Sequence, residues 1–258
     1  MTQADGQKPE SAKPNPSDWA RIAQTVVATV KRLGPAAPLA IISATLPTIG
    51  LVALACTFNI IGPWLREQHA LGIAIYICGF ALSAGLAILP THLQAALGGW
   101  AFGFAVGCPA ALVGVLGAAL CGYAIALRAT GDRALTLIRE KPKWQAVYDA
   151  LLGSGFGRTL LIVILVRLAV TPFALTNLLF AATRVHPLAY ALGTLIGIAP
   201  RTSAAVFLAV GVREFSSQTA QQRWVWLVGI GLTLVAVVVI GQIANRAVTR
   251  VTGSRQGA

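Results

Sequence analysis

The sequence predicts an all-α polytopic membrane protein in which one apolar block of each half enters the bilayer and turns back. Three observations lead there. Of the 258 residues, 56% are hydrophobic and only 11% are charged, and the mean hydropathy is +0.74; a soluble domain carries about 25% charged residues. The apolar residues form blocks of about 20 or more with almost no charge, as membrane-spanning helices do. One block in each half is also interrupted by proline and polar side chains, which the bilayer tolerates only where protein or a wet cavity shields the irregular backbone. High hydrophobicity excludes a disordered chain. Frequent glycine with 7% aromatics suits packed helices better than a girdled β-barrel.

Residues 1–18 are polar and rich in Pro, Ser and Lys, a tail without the apolar core of a cleavable signal peptide. From Trp19 to Leu33, Ile22, Val26, Val27 and Val30 share one face flanked by Arg21, Lys31 and Arg32, the pattern of an interfacial helix. The tail and this helix make one region, 1–38. The first apolar block, Leu39 to Ile61, is expected to end at Gly62-Pro63-Trp64, closing a region at 39–69. The second runs from Ala70 to Leu89. The third, Ala95 to Leu127, has 33 residues, too many for one untilted span of about 20.

A polar segment, Arg128 to Gly157, separates the halves; its second part carries an apolar face of Trp144, Val147, Tyr148, Leu151 and Leu152. The fourth block, Arg158 to Ala182, is interrupted by Arg167, Pro172, Thr176 and Asn177. The fifth, Leu188 to Val212, contains Arg201. Blocks two to five form the membrane domain, 70–212. A loop and the last span, Trp224 to Ile243, occupy 213–243, and a basic tail fills 244–258.

The net charge of +12 follows from this layout. Five Lys or Arg lie in the N-terminal tail, five in the central segment before Arg158 and three after Ile243, against one in the loop at 62–69 and two at 213–223. That bias places the basic tails in the cytoplasm, and basic residues there also attract anionic headgroups. Each half then crosses an even number of times, so one of its three blocks is re-entrant. Cys56, Cys78, Cys108 and Cys121 form no C-x-x-C pair and read as packing residues.

The candidate site comes from the interruptions. Pro172 lacks an N–H and disfavours helix at Thr171, so one helix should end there and another begin. Arg167 inside an apolar block costs at least about 2.5–3.5 kcal/mol and normally faces a partner or water. Arg167, Asn177 and the free N–H groups of a helix opening at Pro172-Phe173 together suit an anion, and a lipid phosphate is the natural one. Snorkelling of Arg167 from a helix end is the competing reading. Arg201 beside Pro200 is a second intramembrane cation. Gly193 and Gly197, four apart, permit close helix contact. The first half shows a related pattern: Pro90, Thr91, His92 and Gln94 precede Gly98 and Gly99. Interruptions in both halves point to a transport site between repeats.

These strings resemble the DedA superfamily, whose shared unit is the VTT or SNARE-associated Golgi protein domain. The matching pieces are Pro90, Gly98-Gly99-Trp100-Ala101-Phe102-Gly103 and Arg128-Ala129-Thr130-Gly131. The second half adds Arg167, Pro172-Phe173, Asn177, Thr183-Arg184-Val185, Gly193-Thr194, Gly197, Pro200 and Gly211. The likeness spans residues 70–212 and is greatest to a Tvp-like branch. It implies two oppositely oriented re-entrant helical hairpins, an inverted repeat, and scrambling or flipping of phospholipids or polyprenyl-phosphate carriers. Three departures stand out. No Asp or Glu lies between Glu67 and Asp132 or between Asp149 and Glu214, whereas proton-coupled relatives carry acids near the first hairpin. The second arginine expected after the proline is absent, with Asn177 in that region. Ala181 replaces a family glycine.

The expected function is therefore lipid transport, with Arg167, Asn177 and Arg201 on the headgroup and Pro90, Thr91, His92, Gln94, Gly98, Gly99, Pro172, Phe173, Gly193, Gly197 and Pro200 in the re-entrant or cavity-lining parts. His92 is the only titratable candidate near that depth, so passive scrambling is favoured over driven transport. A secondary transporter of a small ion or solute, and a non-transporting membrane organiser, are the alternatives. No metal set, nucleophile elbow or carboxylate pair suggests an enzyme. No cofactor, metal or nucleic acid is expected. Membrane lipids are the expected partners, a homo-oligomer stays open, and the bacterial inner membrane is the expected location.

Overall fold

The computed structural model describes residues 37–129, 142–169, 171–215 and 220–253. The tail and interfacial helix read over 1–33, the basic stretch 130–141 and the last five residues lie outside them. The chain divides after Leu46 into two compact units. Of the first, only the opening of helix α1 (Ala37–Glu67) is described. The second holds the remaining helices: α2 (His69–Gly85), α3 (Thr91–Ala129), α4 (Pro142–Leu151), α5 (Phe156–Leu168), α6 (Phe173–Ala182), α7 (Pro187–Phe215) and α8 (Ala220–Gly253). No strand occurs among the described residues.

Helix α1 does not stop at Gly62-Pro63-Trp64 but continues to Glu67. A proline removes one N–H and leaves the remaining helical bonds intact, and membrane helices tolerate that loss. Pro109 in α3 and Pro200 in α7 are likewise internal. Pro172 differs because Ala169 and Pro172 are both extended, with Thr171 Oγ1 donating to the Val166 carbonyl at 3.0 Å. Helix α5 therefore ends at Leu168 and α6 opens at Phe173, with Pro172 at its N-cap.

The overlong third block turns at Gly103, whose φ of 74° and ψ of −178° interrupt α3. Gly98 and Gly107 nevertheless lie backbone to backbone, although a continuous helix would hold them about 13 Å apart along its axis. Residues 91–102 and 104–129 are thus two arms folded against each other, about 18 and 39 Å long. Among the described residues three stretches, Thr91–Arg128, Pro187–Glu214 and Leu227–Val248, are long and apolar enough to cross a membrane, and the first of them is this folded pair rather than one straight rod.

Glycine contacts fix the directions of the neighbours. Gly114, Gly117 and Gly85 bring α3 against Phe80, Ala81 and Cys121, so α2 and the long arm of α3 run parallel. Gly193 lies on Val163 and Gly197 on Ile164 and Arg167, so α5 and α7 are parallel as well. Between each parallel pair a short helix returns: residues 91–102 in the first case and α6 in the second. The long helices are antiparallel to each other, since Phe104 meets Phe207, Cys108 meets Ser203 and Tyr123 stacks on Tyr190. One core gathers Tyr76, Phe80, Val115, Ile198 and Val206; a second gathers Trp144, Val147, Val163, Phe180 and Tyr190. Phe173 packs on both. Most of α8 faces outward with apolar side chains, including Leu232, Val235 and Val238, as a lipid-facing helix does.

Candidate functional site

The break between α5 and α6 is organised by Arg167, which is only 3% exposed. Its Nε donates to Thr194 Oγ1 at 3.2 Å, Nη1 to Thr176 Oγ1 at 2.7 Å, and Nη2 to Asn177 Oδ1 at 2.6 Å and the Tyr190 hydroxyl at 2.9 Å. Four of the five guanidinium N–H groups are therefore occupied. The Tyr190 proton is shared between Asn177 Oδ1 and the Ala119 carbonyl. Phe173, Phe180 and Tyr190 present their rings 4.8–5.5 Å from Cζ. Dipoles and π-faces solvate the cation, and no partner is a carboxylate.

Gly122 and Gly197 permit this arrangement. A Cβ at Gly122 would strike Asn177 Nδ2, and one at Gly197 would lie 2.7 Å from Arg167 Cβ and from the Ile164 carbonyl. Gly193 and Gly197 thus serve the close packing of α5 on α7. Arg167 does not snorkel; it holds α5, α6 and α7 together at their centre.

Arg201 behaves differently. It lies on α7 within Coulombic reach of both Arg167 and His92, is partly exposed, and makes no hydrogen bond or ion pair to a described residue. His92, one residue into α3, is exposed. Arg167 and Asn177 are thus brought into direct contact, with Arg201 beside them and His92 beyond it. Pro90 and Thr91 are partly exposed next to His92, and Pro172 and Pro200 are exposed.

Gln94 takes a framework position. It is 4% exposed; Ser83 Oγ donates to its Oε1 at 2.8 Å and the Tyr76 hydroxyl donates to its carbonyl at 2.9 Å. Gly98 and Gly99 are buried where the short arm meets Gly107 and Val206. Sequence reasoning missed Thr176, Thr194 and Tyr190 as the cage of Arg167, and Ser83 as the partner of Gln94. The last pair lies eleven residues apart across a break, and a polar residue on each side of a proline was its only signal. No group of three or more His, Cys, Asp or Glu capable of holding a metal occurs among the described residues.

Folded and broken helices around buried polar groups, in a chain with spans of membrane length, define an integral membrane protein of the kind that keeps irregular backbone inside the protein. Residues 89–210 match the family model of the VTT domain. That match is consistent with the DedA/VTT family that the sequence resembles. No curated protein and no solved structure matches it.

Proposed function

We propose that this protein moves phosphate-headed lipids between leaflets, by scrambling or flipping, and that Arg201 and His92 meet the headgroup while Arg167 and Asn177 frame the site and set its positive potential. One observation carries the reading: Arg201 is a cation on an intramembrane helix with no hydrogen-bonding partner among the described residues, close to a second cation whose described partners are all neutral. An anion supplies the missing counter-charge, and a bilayer offers phosphate headgroups at high local concentration.

The architecture in this reading is two re-entrant helical hairpins of opposite orientation, α2 with the short arm of α3, and α5 with α6. The parallel pairing of α2 with the long arm, the parallel pairing of α5 with α7, and the antiparallel run of the two long helices all support it. The polar breaks at 86–90 and 169–172 then face one another through Phe173. The bacterial inner membrane, cytoplasmic basic tails, a Tvp-like affiliation and a transporting rather than enzymatic role belong to the same proposal, supported by the charge bias and the family resemblance.

The test is dithionite bleaching of fluorescent phospholipid in vesicles containing the purified protein. Wild type should allow bleaching beyond the outer-leaflet half, and Arg201→Gln should remove that excess while melting like wild type. An inner leaflet that stays protected with wild-type protein overturns generic scrambling.

A further inference from the structure

At the Gly103 turn, far along α3 from the Arg167 cage, the helix formed by residues 91–102 ends and its last carbonyls lose their helical partners. Two arginines from distant helices take them. Arg66, at the end of α1, donates from Nε to the Ala101 carbonyl at 2.8 Å and from Nη2 to the Trp100 carbonyl at 3.0 Å. Arg213, near the end of α7, donates from Nη1 to the same Trp100 carbonyl at 2.8 Å. Cations at a helix C-terminus are favoured by the dipole, which explains one arginine. It does not balance two.

The shared acceptor brings two guanidinium nitrogens within about 6 Å of each other, while a helix end offers only about half a negative charge. Of the ten N–H groups on the pair, three are committed to described residues. The two arginines line a cleft of about 400 Å³ together with His69, Phe102, Gly103 and Val106. No carboxylate lines that cleft among the described residues. His69 and Arg66 are exposed and Arg213 is partly exposed, so the donors are open to a ligand. Apolar Phe102 and Val106 beside them suit a headgroup whose acyl chains continue along the protein surface.

We infer that this cleft is a second anion site, one that takes a phosphate group through Arg66, Arg213 and His69. The phosphate comes either from a lipid headgroup or from solution. The ligand bridges the two arginines and holds the ends of α1 and α7 over the turn of α3. Free guanidinium edges of the two side chains accept it without releasing the Trp100 and Ala101 carbonyls. The site shares no residue with the Arg167–Arg201 cluster and stands or falls separately from lipid transport.

The experiment measures the melting temperature of the full-length protein in phosphatidylcholine nanodiscs during two titrations at constant ionic strength. One adds inorganic phosphate against chloride; the other adds phosphatidic acid with no phosphate in solution. A saturable rise with phosphate identifies a free-anion site, and a saturable rise with phosphatidic acid alone identifies a headgroup site; either supports the inference. Arg66→Gln/Arg213→Gln should weaken the half-saturating concentration by about tenfold or more. Val106→Asp, which places a carboxylate in the cleft and leaves both carbonyl clamps intact, should do the same and covers the case in which the double variant fails to fold. Arg201→Gln should retain the response even where it abolishes lipid movement. No saturable rise in either titration, or a rise that Val106→Asp leaves unchanged, overturns the site.

Discussion

Arg167 donates a 2.6 Å hydrogen bond to Asn177 Oδ1 across the break between α5 and α6. A matching bond runs from Ser83 Oγ to Gln94 Oε1 at 2.8 Å across the break between α2 and α3. In each half a polar side chain before the break is tied to an amide just after it, so the same device closes both turns. The halves differ in charge: Ser83 is neutral and Arg167 is a permanent cation. The potential of the site therefore comes from the second half alone, with Arg201 added from α7.

The Arg167 cage depends on the planar fork of a guanidinium, not only on its charge. Four acceptors lie around it, and an ammonium with three donors on one nitrogen cannot reach them together. Arg167→Gln is expected to cost about 3 kcal/mol, because Asn177, Tyr190 and two threonines lose their donor in a buried site. Arg167→Lys should recover only a minor part. Thermal unfolding in detergent reads both; a lysine variant as stable as wild type would show that charge alone suffices.

Asn177→Asp separates stability from transport. The new carboxylate meets the Arg167 Nη2 already 2.6 Å away, forming a buried ion pair where a charge–dipole bond stood. Stability should stay within about 1 kcal/mol of wild type, since the gained attraction and the added desolvation oppose each other. Lipid movement should fall, because the negative charge cancels the potential that Arg201 shares. Unchanged bleaching kinetics in a well-folded Asn177→Asp protein would remove charge from the mechanism.

Three glycines should respond differently to alanine. Gly103 has open space around it but a φ of 74° with ψ near 180°, so Gly103→Ala costs about 1–3 kcal/mol through backbone strain alone. Gly197→Ala costs a similar amount by collision with the Ile164 carbonyl and Arg167 Cβ. Gly79, mid-helix with nothing within 4 Å, should gain up to about 1 kcal/mol from the better helix former. Melting temperatures that rank Gly79→Ala above wild type and the other two below it bear this out; any other order contradicts these local causes.

What could be read from the sequence was the chemistry of isolated interruptions. Pro172 announces its break because a polar residue precedes it and an arginine stands five residues back, so the broken helix and the buried cation both carry a visible cost. Gly103 could not be told from Gly98, Gly99 or Gly107, since all are small residues in one apolar run and only the turn distinguishes them. Pro63 looked like a stop but is internal to α1, because one lost hydrogen bond does not end a long apolar helix. Arg66 and Arg213 read as flanking charges; their acceptors lie 34 to 113 residues away in the chain, and no local pattern encodes that. The cage of Arg167 was half visible, since Asn177 lies ten residues on, whereas Tyr190 and Thr194 join it only through the parallel packing of α5 on α7.

The shared Trp100 carbonyl also fixes a topological relation. Arg66 and Arg213 both reach it, so the ends of α1 and α7 lie at one level of the molecule. Helix α8, with 34 residues and a length of about 51 Å, is long enough to cross the membrane, and the proposed topology puts the C-terminal tail on the opposite side from those two ends. With exposed Cys56 and Cys78 replaced by serine, His69→Cys and Val212→Cys should both react with a membrane-impermeant maleimide from the same side. A cysteine replacing Gly257 should react only from the other. Labelling of His69→Cys and Val212→Cys from opposite sides is incompatible with two arginines on one carbonyl and would refute the pairing of the two ends.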